Sequence, residues 1–124
     1  MSYRIVPRTP AGERLIAAAN GLRGVFRERS DGADRANEIC ADNYTDMQAA
    51  GITAAFVPEE LGGMGLRSMH DWILAIATLA KGDGSAAIAI SMHLSATRGL
   101  AALYRTSEPG SAPHNRAKAV LEAV

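Results

Sequence analysis

The sequence predicts an all-α fold, a helical bundle of about five to six helices. Alanine, which has the highest intrinsic helix propensity, occurs 24 times among the 124 residues. Phe, Trp and Tyr together make up only 5% of the chain, so the aromatic residues that favour strands are sparse. Several segments also repeat apolar residues at spacings of three and four, which is the period of an α-helix.

The first helix is predicted to begin at Thr9-Pro10, because a threonine oxygen can cap the first turn and proline suits the first helical position. The apolar residues that follow at helical spacing are Leu15, Ala19, Leu22 and Phe26. Ser30-Asp31-Gly32 is expected to break this helix. The alternative is a helix that continues through Ala36 and Ile39.

A second helical segment is predicted to run to Ala50, with Gly51 as its left-handed terminator. Residues 52–57 are predicted to be extended, since Pro58 disfavours helix at the residue before it. The glycine-rich stretch 61–66 is predicted to be a loop. It matches neither the dinucleotide pattern G-x-G-x-x-G nor a P-loop. We therefore favour the interpretation that it is a tight reversal, which lets two helices approach closely, and not a phosphate-binding loop.

A third helix is predicted to begin after Ser68, with Asp71 as the acid of a capping box. Its inward face is predicted to consist of Met69, Trp72, Ile73, Ile76, Leu79 and Ala80. The fourth helix, about 85–104, has no charged residue until Arg98, so we expect it to be apolar all round and central in the bundle. A loop over 106–113 and a last helix from His114 through Val124 complete the chain.

The charge balance excludes several classes of partner. Thirteen basic and thirteen acidic residues give a net charge of zero, which provides no general field for nucleic acid or an anionic membrane surface. The longest uncharged stretch, 84–97, is shorter than the ~18 residues of a membrane span. A single cysteine, Cys40, cannot form an internal disulfide, so we expect a cytoplasmic protein. We interpret Cys40 itself as a small buried hydrophobic residue. The three histidines have no metal-ligand spacing, and no metal site is predicted.

His93, Ser91 and Ser95 are the polar residues of interest on the apolar fourth helix. A histidine in such surroundings must find a hydrogen-bond partner or lose its proton. We favour the interpretation that His93 binds a neighbouring carbonyl; the alternative is that it faces a cavity shared with another domain. The two serines could line a pocket, or could simply allow close packing of helices.

Taken together, four stretches of the chain resemble the N-terminal domain of the acyl-CoA dehydrogenase superfamily. They are Ala49-Ala50-Gly51-Ile52, Val57-Pro58-Glu59-Glu60-Leu61-Gly62-Gly63-Met64-Gly65-Leu66, Leu79-Ala80-Lys81-Gly82-Asp83-Gly84-Ser85 and Met92-His93-Leu94-Ser95. The Pro-x-x-x-Gly-Gly-x-Gly turn between two helical pairs is the most specific of these motifs. The resemblance covers residues 15–124, almost the whole chain.

The resemblance implies an N-terminal extension, 1–8, and a helical domain, 9–124, of a flavoprotein. Family members add a β-barrel domain and a C-terminal helical bundle, hold FAD chiefly between those two, and usually form homo-oligomers. We therefore expect a fragment, a truncated gene product or one subunit of a split enzyme, inactive by itself. FAD is expected in the complete protein and not in this chain alone, and no catalytic residue is expected here.

The resemblance also implies roles for residues of the fourth helix. Ala87, Ile88, Ser91 and Ser95 match positions that face the fatty acyl chain, so the implied substrate is an acyl-CoA or a similar small molecule. His93 matches a histidine near the flavin in related flavin-dependent monooxygenases. The main hypothesis is thus a domain of an acyl-CoA dehydrogenase-like oxidoreductase. The alternatives are a domain of a monooxygenase of the same fold and a non-catalytic helical docking subunit.

Overall fold

The computed structural model describes residues 6–124, and within them it shows helices and no strand. The helices are α1 (Pro10–Ala36), α2 (Ala41–Ala49), α3 (Met69–Ala80), α4 (Gly84–Thr106) and α5 (Ala112–Glu122), with short 3-10 turns at Ile52–Ala54 and Glu59–Leu61. The predicted all-α class and the number of helices are confirmed. Residues 1–5 of the extension predicted for 1–8 lie outside the described residues.

The core lies where α1 packs on α3 and α3 packs on α4. Its largest fully buried side chains include Phe26, Phe56, Leu15, Met47, Ile52, Leu66, Leu79, Ile90 and Leu94. Phe56 meets Trp72 edge to face, with ring centroids 5.3 Å apart, which is the arrangement that aromatic quadrupoles favour. α5 packs on the C-terminal half of the long α4 through Ala117 and Leu121.

α1 begins as predicted, with the Thr9 hydroxyl accepting from the Gly12 N–H at 3.0 Å. The predicted break at residues 30–32 is wrong, because the helix continues to Ala36. It also stops before Ile39, the end point of the longer alternative. Asn37 adopts a left-handed conformation (φ 53°), and its N–H bonds to Asp34, which closes the helix end. One exposed Gly32 costs only about 1 kcal/mol in a helix of this length.

The segment after α2 departs from the prediction. Gly51 is left-handed (φ 82°), as expected of a helix terminator, but the extended stretch predicted for 52–57 is wrong. Ile52–Ala54 forms a 3-10 turn, held by bonds such as that from the Ala55 N–H to the Ile52 carbonyl. Burial of three successive apolar residues, 55–57, favours this compact path over an extended one.

The glycine loop folds back on the segment before it. Gly62 and Gly65 have positive φ, so the predicted tight reversal is present. Its close approach is not between two helices, as we predicted, but to Val57: the Gly65 N–H bonds to the Val57 carbonyl at 2.9 Å. A Cβ on Gly63 would overlap that same carbonyl oxygen.

Asp71 joins the start of α3 to the start of α1. The Ser68 hydroxyl caps α3 as predicted, accepting from the Asp71 N–H at 3.2 Å. The prediction that the Asp71 carboxylate completes a capping box is wrong. This fully buried carboxylate instead accepts hydrogen bonds from the backbone N–H groups of Arg8 (2.9 Å) and Thr9 (3.0 Å) and from the Thr9 hydroxyl (2.6 Å). His70 contributes a fourth contact at 2.9 Å. A helix N-terminus offers free N–H donors, and the carboxylate satisfies them across the tertiary contact.

The faces of α3 and α4 are also corrected. Along α3 the buried line is Asp71, Ala75 and Leu79, and the predicted core residues Met69, Ile73 and Ala80 are exposed. The prediction that α4 lies at the centre of the bundle is wrong, because only one side of this helix packs on the bundle and the other side is exposed. Within residues 6–124 it is the one helix whose length and composition would suit a membrane span, a test that a buried core helix also passes. α5 begins two residues before His114 and ends at Glu122 rather than Val124.

A polar network connects α1, α2 and the start of α4. Arg29 donates to Asp46 at 2.7 Å and to Asn43 at 3.1 Å, and the buried Asn43 amide donates to Asp83 at 3.1 Å. Asp83 in turn caps α4. Cys40, predicted to be buried, is half-buried at the N-cap of α2.

Candidate functional site

The outer face of α4 is the candidate functional site. The helix buries the side that carries Ala86, Ile90, Leu94, Thr97 and Ala101. On the opposite side Ile88 is 69% exposed and Met92 is 73% exposed. These two large apolar residues lie one turn apart, and neither contributes to the core. Their exposed surface could therefore contact a ligand or another protein segment.

The four predicted pocket residues divide between this face and the core. Ile88 and Ser95 are exposed and Ser91 is half-buried, whereas Ala87 is 1% exposed and belongs to the core cluster. Ile88, Ser91 and Ser95 follow each other at spacings of three and four, so they share one side of the helix. Ala87 stands at the edge of that side, where α4 meets the bundle.

His93 points away from the serines. At 100° per residue it lies about 160° around the helix from Ser91 and Ser95. Its Nε2 is 2.8 Å from the Thr53 carbonyl oxygen; since a carbonyl can only accept, Nε2–H donates. The structure thus shows the carbonyl-binding arrangement that we favoured. The His93 residue is half-buried.

Met92 is the residue of this face that the sequence interpretation did not single out. The signal was present: Ile88 and Met92 are four residues apart and lie on the side opposite Ile90 and Leu94, so one helix carried apolar residues on both sides. Along α3, Met69 and Ile73 form a comparable exposed pair. We had assigned both of those to the core.

A described cleft elsewhere on the molecule does not suit FAD. It measures about 340 Å³ and lies between the end of α1, the start of α2 and the start of α4. Among its described lining residues are the carboxylates of Asp34, Glu38 and Asp83 and no lysine or arginine. A flavin dinucleotide carries an anionic diphosphate, which such a cleft would repel. The lining of this cleft therefore does not suit the diphosphate of FAD. Residues 6–124 hold no cluster of potential metal ligands.

Comparisons with known proteins place this helical domain. The family described as "Acyl-CoA dehydrogenase, N-terminal domain" matches residues 17–108. Amino sugar nitrososynthase DnmZ of Streptomyces peucetius is 36% identical over 94 residues, which are 76% of this chain and 23% of that protein. Dibenzothiophene monooxygenase of Rhodococcus erythropolis is 33% identical over 91 residues, 71% of this chain and 21% of that protein.

A solved structure gives the same result in three dimensions. KijD3 in complex with dTDP matches with a TM-score of 0.87 and 28% identity, over 95% of this chain and 30% of that one. The chain thus spans about a quarter of the length of the relatives it matches.

Proposed function

Because the chain belongs to the family of acyl-CoA dehydrogenase N-terminal domains, we propose that it forms one wall of the substrate and flavin pocket of an FAD-dependent oxidoreductase. The observation that carries this proposal is the exposed, uncharged side of α4, above all Ile88 and Met92. The remaining domains of such an enzyme, on the same chain or on a partner subunit, would cover that side. We place the assembly in the cytoplasm as a homo-oligomer.

FAD, once bound by the assembled protein, supplies the redox chemistry. The residues of this chain would exclude water and position the substrate. Ile88 and Met92 offer apolar surface without a hydrogen-bonding group, so they suit contact with an apolar or neutral part of a substrate. Ser91 and Ser95 add small hydroxyl groups on the same side, which leave room for the ligand.

Two reactions fit a pocket of this kind. The family description favours dehydrogenation of an acyl thioester such as an acyl-CoA. Flavin-dependent oxygenation is the second candidate, because the relatives named above are a nitrososynthase and a monooxygenase. A non-catalytic docking module would use the same exposed face and would show no activity in any assembly.

We expect a charge on the outer face to impair catalysis without unfolding the domain. The test replaces the matching quarter of DnmZ by this chain and compares the chimera with its Ile88→Glu/Met92→Glu variant in oxidation of an amino sugar. Since a carboxylate is costly in a covered apolar interface, kcat/KM should fall at least about tenfold. The matched control is Val120→Glu on α5, where an apolar residue is also exposed.

Unchanged kcat/KM in the Ile88→Glu/Met92→Glu chimera would refute the wall hypothesis. A chimera that folds and assembles but has no activity, even with the wild-type face, would instead favour the docking module. Circular dichroism of the isolated variants should match the wild type, because neither side chain contributes to the core.

His93 distinguishes the two candidate reactions. Replacing His93 with alanine should reduce oxygenation in the DnmZ chimera at least about tenfold and change dehydrogenation by less than about twofold in a matching acyl-CoA dehydrogenase chimera. His93→Gln is the control, since a glutamine amide can still donate to the Thr53 carbonyl. If glutamine restores full oxygenation, the role of His93 is to hold the 3-10 turn rather than to act near the flavin.

A further inference from the structure

A basic cleft lies where α1 meets the end of α3. It measures about 280 Å³, and its described lining consists of Arg23, Gly24, Arg27 and Lys81. The three basic residues are exposed, so their charged ends are open to a ligand from solvent. No carboxylate belongs to the described lining, and every charged group at this cleft is therefore positive.

A tertiary contact brings the three charges together. Arg23 and Arg27 are four residues apart on α1 and share one side of that helix. Lys81 comes from a different element, the turn that follows α3. Gly82 allows this turn to reach α1, because a Cβ on Gly82 would overlap the carbonyl oxygen of Arg23. The close approach at Gly82 therefore places Lys81 beside the two arginines.

The positive charges at this cleft are not compensated within the part of the chain that the structure describes. Over residues 6–124, none of the three basic side chains lies at ion-pairing distance from a carboxylate. Like charges that line one cleft repel each other, and a bound anion would remove that repulsion. Two guanidinium groups also offer planar pairs of N–H donors, which match the oxygens of a phosphate group.

Gly24 leaves room for a ligand against α1. Glycine within a helix is less favourable than alanine, so its presence there calls for a reason. Nothing lies within 4 Å of a Cβ built on Gly24, and packing therefore does not require a glycine at this position. The missing side chain instead keeps the cleft open between the basic residues. Its volume is just below the ~300 Å³ at which pockets for larger organic ligands begin, which suits a small anion.

We propose that Arg23, Arg27 and Lys81 bind a phosphate group in the cleft between α1 and the end of α3. The phosphate group belongs either to free inorganic phosphate or to a small phosphate ester. Because it would contact both α1 and the turn after α3, its binding would stabilise the folded chain. The site shares no residue with the outer face of α4, so phosphate binding here is independent of the proposed pocket wall.

Binding is tested on the 124-residue chain by calorimetric titration with pyrophosphate, at an ionic strength held constant with sodium chloride. We expect saturable binding with a Kd on the order of 1 mM or tighter, and a Tm raised by roughly 3 °C at saturation. Gly24→Glu places a carboxylate in the cleft and should weaken binding at least tenfold. Gly21→Glu is the matched control, because it adds the same charge at an exposed glycine of α1 outside the described lining, and it should change affinity less than about twofold.

A second pair of variants removes positive charge instead of adding a carboxylate. Arg23→Gln/Arg27→Gln should weaken binding at least tenfold, whereas Arg98→Gln/Arg105→Gln removes the same charge from α4 and should leave affinity within about twofold. Absence of saturable binding, or equal weakening by a test variant and its control, would overturn the proposal. If Arg23→Gln/Arg27→Gln fails to fold, Lys81→Gln takes its place, because Lys81 lies outside the helices.

Two further titrations distinguish the sources of the phosphate group. Orthophosphate and methyl phosphate carry the same group, but one oxygen of methyl phosphate is esterified. Tighter binding of orthophosphate identifies free phosphate as the ligand, and equal or tighter binding of methyl phosphate identifies a phosphate ester. Failure of both to bind, together with pyrophosphate, would contradict a phosphate site in this cleft.

Discussion

Replacing Asp71 with asparagine should lower the free energy of unfolding by about 3 kcal/mol at pH 7. The carboxylate is 0% exposed and accepts three hydrogen bonds from Arg8 and Thr9 at the start of α1. An amide of the same size has one oxygen fewer and directs N–H groups at these donors, which are then left unsatisfied. Urea denaturation measures the loss. Asp31→Asn, an exposed site within α1, is the matched control and should change stability by less than about 0.5 kcal/mol.

The same carboxylate makes stability depend on acid pH. Burial alone would raise the pKa of Asp71, but hydrogen bonds from Thr9, His70 and the Arg8 N–H outweigh burial and lower the pKa from 3.8 to about 2. A lowered pKa in the folded state means that the stabilisation is complete above about pH 4 and is lost as the pH falls towards 2. The stability difference between wild type and Asp71→Asn should therefore shrink by about 2 kcal/mol between pH 5 and pH 2. A difference that stays constant over this range would contradict the assignment.

Replacing Gly63 with alanine should also destabilise the fold by about 3 kcal/mol, seen as a Tm lower by roughly 10 °C. The added methyl group would overlap the carbonyl oxygen of Val57. The loop cannot retreat easily, because the Gly63 N–H bonds to Pro58 at 3.1 Å and the Gly65 N–H bonds to Val57 at 2.9 Å. The strain would fall on backbone rather than on a flexible side chain.

Gly21→Ala is the matched control for Gly63→Ala. Gly21 lies in the middle of α1 with nothing within 4 Å of an added Cβ, so alanine should stabilise the protein by about 0.5–1 kcal/mol. Opposite signs for the same chemical change would show that tertiary contact, not glycine content, determines the effect. A small effect of Gly63→Ala would mean that the loop accommodates a side chain, contrary to the close approach described.

The sequence predicted the positions of helices better than their faces. Caps are local: Thr9 and Ser68 bond to N–H groups three residues away, so both helix starts were predictable from the sequence alone. The faces of α3 were not. Met69 and Ile73 follow the apolar spacing of a core face, yet they are exposed, because the inward line of α3 is set by the angle at which α1 and α4 pack against it.

For the candidate site, the family resemblance led to α4, but only the structure separated the residues of this helix into core and surface. Ala87 belongs to the core, Met92 to the outer face, and His93 to a contact with Thr53 forty positions away along the chain. No pattern within α4 specifies a partner at that sequence separation.

By itself, then, the amino-acid sequence determined the helical class, the helix starts capped by Thr9 and Ser68 and the glycine terminator at Gly51, because propensities and caps act over three or four residues. Tertiary structure alone decided which apolar side chains of α3 and α4 stay outside, where the Asp71 carboxylate binds, and that the Gly63 loop folds onto Val57. These features depend on which segments meet in space, and the free energy of burying a side chain is settled only when its neighbours across the bundle are in place.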